Sequence, residues 1–316
     1  MRALRDTILT ASFVALLAIA GPARLVHAAP IDDRNACRDL SGAAALAACT
    51  RAINSGSWRG HDLAILYFFR AAEYAEQHEI DRAIADYSES IKFDDNSEDA
   101  FYGRGQLYAA KGDFDQAIMD YNEAIKQNRE NAYFYANRAA AYVGKGDFDH
   151  AIADYNQAIR FDANNANRYR SRGIAYLYKG DPTMALADVG QATKLDPKNA
   201  YSALWLDIIS QRKQLPGRLS QAISAIDMTK WPAPVLRMYL GQVDLPAALA
   251  SADDADAETK KGRICEVNFY GGELALQKGT ADEKVRLFQL AANDCPKDFD
   301  EWSAANAELK SLGGSR

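Results

Sequence analysis

Four cysteines, four histidines and a recurring arginine–aspartate pair are the residues of this 316-residue chain best suited to chemistry. The histidines assemble into nothing. His27 lies in an N-terminal apolar leader, and His61, His78 and His150 are scattered, with no ligand spacing to a cysteine. The sequence holds no H-E-x-x-H, no G-x-S-x-G and no phosphate-cradling glycine loop. Carboxylates are abundant, but any two can be paired on paper, so they single out no acid–base couple. No catalytic residue, cofactor or metal is expected. Cys37, Cys49, Cys265 and Cys295 form an even set without a C-x-x-C. In an exported chain that favours disulfides. Three pairings are open, and the local one, Cys37–Cys49 with Cys265–Cys295, is the expected solution.

Export is the expectation from residues 1–28. Arg2 and Arg5 precede an apolar run, Ile8–Ala20, that is shorter than the ~20 residues needed to span a bilayer. Gly21-Pro22 breaks the run, and Val26-His27-Ala28 offers small residues for cleavage after Ala28 or Ala29. This pattern is that of a cleaved secretory signal; an uncleaved anchor is the alternative. No second apolar stretch follows, so no stable membrane insertion is expected after cleavage. The first cysteine, Cys37, is not in a lipid-attachment context. The signal carries Arg2, Arg5, Arg24 and Asp6, a net of +2, so its loss takes the chain from −6 to −8. An acidic chain argues against nucleic acid as a partner. The expected location is periplasmic or secreted.

The arginine–aspartate pairs recur because the chain does. Segments 98–131, 132–165 and 166–199 align without gaps, and a weaker copy occupies 64–97. In this 34-residue register the eighth residue is small (Ala71, Gly105, Ala139, Gly173), the eleventh is tyrosine and the twentieth is alanine. Small residues let two antiparallel helices approach, and aromatics fill the space between them. Lys-Gly-Asp at 111–113, 145–147 and 179–181 reads as the turn. The seventh residue is always Arg (Arg70, Arg104, Arg138, Arg172) and the twenty-third always Asp (Asp86, Asp120, Asp154, Asp188). Each pair should face itself across one hairpin as a structural ion pair; the alternative is a basic groove.

A 34-residue period with residues at these places resembles the tetratricopeptide repeat (TPR). The resemblance implies an all-α, right-handed superhelical solenoid of antiparallel helix pairs, with a concave binding face and seldom an active site. The expected organisation is an N-terminal helical cap at 29–63, four repeats over 64–199, a degenerate helical region at 200–264, a late repeat at 265–298 and a capping helix with tail at 299–316. Within the degenerate region, 215–226 reads as a helix led by Pro216. The two helices of the late repeat should bring Cys265 beside Cys295. The stretches 204–211, 238–252 and 268–279 resemble the NlpI-type periplasmic TPR lipoproteins. That resemblance implies an envelope adaptor recruiting proteases and peptidoglycan hydrolases. This chain lacks the family's lipid-attachment cysteine, which puts anchoring in doubt.

In TPR arrays the concave face is lined from fixed places in each first helix. Those places here hold Phe68, Tyr102, Gln106, Tyr133 and Ala136, followed by Asn137, Arg170, Ile174 and Tyr201. The stripe is aromatic, with few charges, and suits an extended peptide or an apolar helix. The alternative is that its aromatics complete the packing of the array. Carboxylate-clamp TPR proteins have Lys and Asn where Phe68 and Ala72 stand, so that subclass is not expected. The expected function is a non-catalytic exported adaptor for proteins or peptides of the cell envelope. The alternative is a self-associating assembly factor, and a homodimer is left open. A second apolar surface is offered by the irregular 228–256 region, through Trp231, Met238 and Tyr239.

Overall fold

The computed structural model describes residues 30–313; the predicted signal at 1–28 lies outside them. Among the described residues every regular element is a helix. α1 (Pro30–Asp39) and α2 (Gly42–Asn54) form a hairpin, bridged by Cys37–Cys49 with Cα atoms 4.6 Å apart. Four periodic hairpins follow. They are α3 (Gly60–Glu76) with α4 (Ile80–Phe93), α5 (Glu98–Lys111) with α6 (Phe114–Gln127), α7 (Ala132–Gly144) with α8 (Phe148–Phe161), and α9 (Ala166–Lys179) with α10 (Pro182–Leu195). α3 starts ahead of the repeat boundary expected at 64.

The residue closing each repeat starts the next helix. Ser97, Asn131, Asn165 and Asn199 each accept a backbone N–H from the first turn that follows. A cap of this kind contributes about 1 kcal/mol. The small eighth residue is required by contact. A Cβ on Gly105 would lie 2.8 Å from the Tyr121 ring, and one on Gly173 2.6 Å from Val189.

Each Arg holds its Asp through two parallel N–H bonds. The distances are 2.6 and 2.8 Å for Arg70–Asp86, 2.9 and 2.8 Å for Arg104–Asp120, 2.7 and 2.7 Å for Arg138–Asp154, and 2.6 and 2.7 Å for Arg172–Asp188. The guanidinium has a third edge, and it points backwards along the array. Nη1 of Arg104, Arg138 and Arg172 donates to Ser88, Asn122 and Asn156 of the preceding hairpin, at 2.9, 2.5 and 2.6 Å. Arg70 reaches Thr50 on α2 in the same way. One side chain therefore ties its own two helices and the neighbouring repeat. The turn lysines add a weaker, exposed row: Lys111 to Asp81, Lys145 to Asp115 and Lys179 to Asp149. Exposed pairs contribute little.

Beyond the periodic hairpins lies α11 (Ala200–Arg212). The helix expected over 215–226 is reduced to α12 (Leu219–Ala222) and a 3-10 turn, Ile223–Ala225. The Asp207 carboxylate accepts the N–H groups of Arg218 and Leu219 at 2.7 and 3.0 Å, which fixes the start there, and Ile226 is extended and ends it. α13 (Ala233–Tyr239) and α14 (Leu245–Ala250) are short. α15 (Ala257–Lys278) is one helix of 22 residues, capped by Asp256, and so starts before the boundary expected at 265. α16 (Ala281–Asp294) and α17 (Asp300–Ser311) follow, and Cys265–Cys295 joins the interior of α15 to the end of α16. The largest apolar core lies here. It joins Ile174 and Val189 of the fourth repeat to Trp205, Ile208, Leu236, Phe269 and Phe288.

Candidate partner-binding groove

The first helices of successive hairpins touch one another: α3 with α5, α5 with α7, α7 with α9, α9 with α11. They form the inner row of the array. A cavity of about 470 Å³ opens on it, walled by Tyr133, Ala136 and Asn137 of α7, Arg168 and Arg170 of α9, Tyr201 of α11 and Glu266 of α15. Tyr133 is 60% exposed, the most open large aromatic of the row. The Arg168 guanidinium lies 5.1 Å from its ring centre. Arg168 itself is only 4% exposed and is paired with Asp162 at 2.5 Å, while its Nη2 finds no acceptor among the described residues. Arg170 Nε is equally without an acceptor there.

The other expected groove residues lie elsewhere or lie deeper. Tyr102 packs on Tyr121 and Phe134, and its hydroxyl accepts from Gln106 and Asn137 at 3.1 and 3.0 Å. Burial raises its hydroxyl to about 12. Gln106 borders a smaller cavity of 140 Å³. Ile174 is 2% exposed and belongs to the core, because its side chain turns into the hairpin. Phe68 packs edge-on against Tyr87 and borders a separate 330 Å³ cavity near α1.

Two expectations need correction. The inner face is charged, because Arg168 and Arg170 face carboxylates brought from the far end of the chain. The capping helix expected within 299–316 is packed more deeply than a polar cover. Ala304 and Ala305 of α17 are fully buried, Trp302 donates to the Ala292 carbonyl at 3.1 Å, and Glu308 pairs with Arg212 at 2.6 Å. α17 packs on α16, α15 and α9. The turn before it, Pro296–Phe299, crosses the inner face. Lys297 reaches the end of α5, Asp300 pairs with Arg170 at 3.4 Å, and the Trp302 ring lies tilted against Phe114 with centres 5.6 Å apart. Periodicity gives no warning of this, since these contacts bridge 130 to 188 positions of chain.

The floor of the cavity holds two buried acids. Glu266 accepts from the Tyr201 hydroxyl at 3.0 Å and from the Trp231 indole at 2.8 Å. Burial, then the neighbouring Glu301 charge, pushes it up to about 8. Glu301 accepts from Tyr270 at 2.9 Å and is raised to about 7 by burial and then by Asp300. Trp231 is thus tied into this floor, and Tyr239 packs on Tyr270, so neither forms the separate apolar surface expected over 228–256. Neither histidine nor cysteine lines the cavity, and among the described residues no cluster is placed to hold a metal. No described helix is long and apolar enough to cross a membrane. What the walls offer is tyrosine rings, two arginines and Asn137.

A family model described as TPR repeat matches residues 71–112, 105–146 and 141–180. Among solved structures the chain is similar to YrrB, described as a TPR protein with an unusual peptide-binding site. The identity is 21% over 62% of this chain and 98% of that one, with a TM-score of 0.49. It is also similar to a MamA protein (18%, 51% and 87%, TM-score 0.46) and to the first TPR of Spaghetti (RPAP3) bound to the HSP90 peptide SRMEEVD (27%, 36% and 90%, TM-score 0.35). Residues 71–180 of this chain are tetratricopeptide repeats, set in an all-α solenoid.

Proposed function

We propose that this chain is a non-catalytic adaptor that binds an extended peptide segment of a partner protein on the inner face of α7, α9 and α11. The observation that carries the reading is the 470 Å³ cavity there, with exposed Tyr133 on one wall and Arg168 and Arg170 on the other. Aromatic and arginine side chains are the groups that most often dominate binding energy. Selection of displayed peptides against the full chain tests the reading. An enriched peptide set should bind Tyr133→Ala at least tenfold more weakly while circular dichroism is unchanged. No enrichment, or equal binding by the variant, overturns it.

The cell envelope is the proposed setting. Support comes from the 8–20 apolar run and from the two bridged cysteine pairs, which suit an oxidising compartment. Recruitment of envelope proteases or peptidoglycan hydrolases belongs to the same proposal, through the NlpI-type resemblance of 204–279. N-terminal sequencing of protein from the envelope fraction should begin at Ala29 or Pro30. An intact Met1, or a lipid on Cys37, ends the soluble exported reading.

A further inference from the structure

The groove already holds a peptide, and it is the chain's own. Asp298-Phe299 runs between Cys295, fixed by its disulfide, and α17, which Asp300 opens and Glu308 fixes to Arg212. Without this turn and Glu301, Glu266 is the only carboxylate that the 470 Å³ cavity presents, and it already accepts two hydrogen bonds. The bare wall is therefore cationic through Arg170, since Arg168 is already paired with Asp162. The occupant is acidic and aromatic, as charge complementarity requires. Its fit is nonetheless poor. A cavity of 140 Å³ remains beside the turn, the Arg170–Asp300 contact is long at 3.4 Å, and Arg170 Nε stays without an acceptor among the described residues. Close-packed protein interfaces leave few such voids. Lys297 adds one good bond, to the Lys111 carbonyl at 2.7 Å.

We propose that the 296–299 turn, with Asp300 at the start of α17, is a resident pseudo-ligand, and that the physiological partner is a peptide with an acid–aromatic–acid pattern that displaces it from Arg170. The proposal rests on the groove reading above and adds the partner's chemistry and its competitor. A site occupied internally binds an outside ligand with an affinity reduced by the fraction of chains in which it is open. Weakening the turn's hold should therefore tighten binding without adding any contact.

The probe is fluorescent acetyl-Asp-Phe-Asp-Glu-Trp-amide, read by anisotropy on the full chain. Lys297→Ala with Asp300→Asn should bind it at least tenfold tighter than wild type. Adding Arg170→Gln should abolish the gain, and a probe with Asn for both Asp should show none. On wild-type protein, which removes any question of variant folding, saturating probe should speed amide hydrogen exchange at 297–300. Equal affinity of wild type and double variant, or unchanged exchange, overturns the proposal. So does a probe that binds neither protein. If Tyr133-dependent library peptides still bind in that case, the groove reading stands and only the acidic partner falls.

Discussion

The Lys297 ammonium donates to the backbone carbonyl of Lys111, 186 positions earlier, at 2.7 Å. Gly112, the next residue, makes room for it. A Cβ there would lie 2.5 Å from the lysine chain, and its φ of 83° already demands glycine. The same glycine thus ends α5 and admits the crossing turn.

Arg104→Ala should destabilise the array strongly. It removes both bonds to Asp120, which is nearly fully buried, and the tie to Ser88. An acid left buried without its partner costs about 3–5 kcal/mol. Arg104→Lys should recover only part of this, since a lysine cannot form the two-pronged contact. Chemical denaturation measures both, and a change below ~1 kcal/mol for the alanine variant would contradict the structural role.

Tyr102 and Tyr133 should separate cleanly. Tyr102→Ala removes a half-buried ring packed between Tyr121 and Phe134 and should lower the melting temperature, costing on the order of 2 kcal/mol. Tyr133→Ala removes an exposed ring and should shift stability by less than ~1 kcal/mol while weakening peptide binding. Melting curves that show the reverse order would exchange the two roles.

Loss of the Cys265–Cys295 bridge should loosen both the late hairpin and the crossing turn. A 30-residue loop corresponds to roughly 3–4 kcal/mol of chain entropy in the unfolded state. Cys265→Ala with Cys295→Ala should therefore melt lower and be cut faster by trypsin after Lys297. Unchanged cleavage there would mean that α17 alone holds the turn.

Stability should fall as pH rises through neutrality. Glu266 is raised to about 8 from 4.5, so the folded chain holds more protons than the unfolded one between those values. Unfolding free energy then decreases as pH climbs through that window. Tyr201, Trp231, Arg263, Arg170 and Glu301 face this group or its acidic neighbour, and Glu301 titrates beside it. Glu266→Gln should flatten the loss between about pH 5 and pH 8 by on the order of 2 kcal/mol, and Glu301 should keep it from vanishing. Identical pH slopes for variant and wild type would contradict this.

What was legible in the sequence is what repeats. The 34-residue register puts Arg104 opposite Asp120 and Gly105 against Tyr121, because a contact needed by every hairpin is written in every hairpin. The register also names Tyr133, Asn137, Arg170 and Tyr201, which do line one cavity. It misses Arg168, which stands at the third place of a single repeat, and it misses Glu266 and Asp298–Glu301 altogether. Those residues arrive by folding of the C-terminal third onto the inner face, which happens once. The alternation of acid and aromatic at 298–302 is the only local trace of it.

The backward reach of each arginine has a consequence for how the molecule comes apart. The apolar clusters of the first repeats are small, and there the guanidinium links run without a gap from Thr50 to Asp188. Leu206 then takes the arginine's place and Gly190 the asparagine's, where the large core begins. Nearest-neighbour coupling is what sets cooperativity in a linear array. Residues 60–190 should therefore open as one block rather than by fraying hairpin by hairpin, and the slowest amides should sit on α11 and α15, in the large core that the fourth repeat shares.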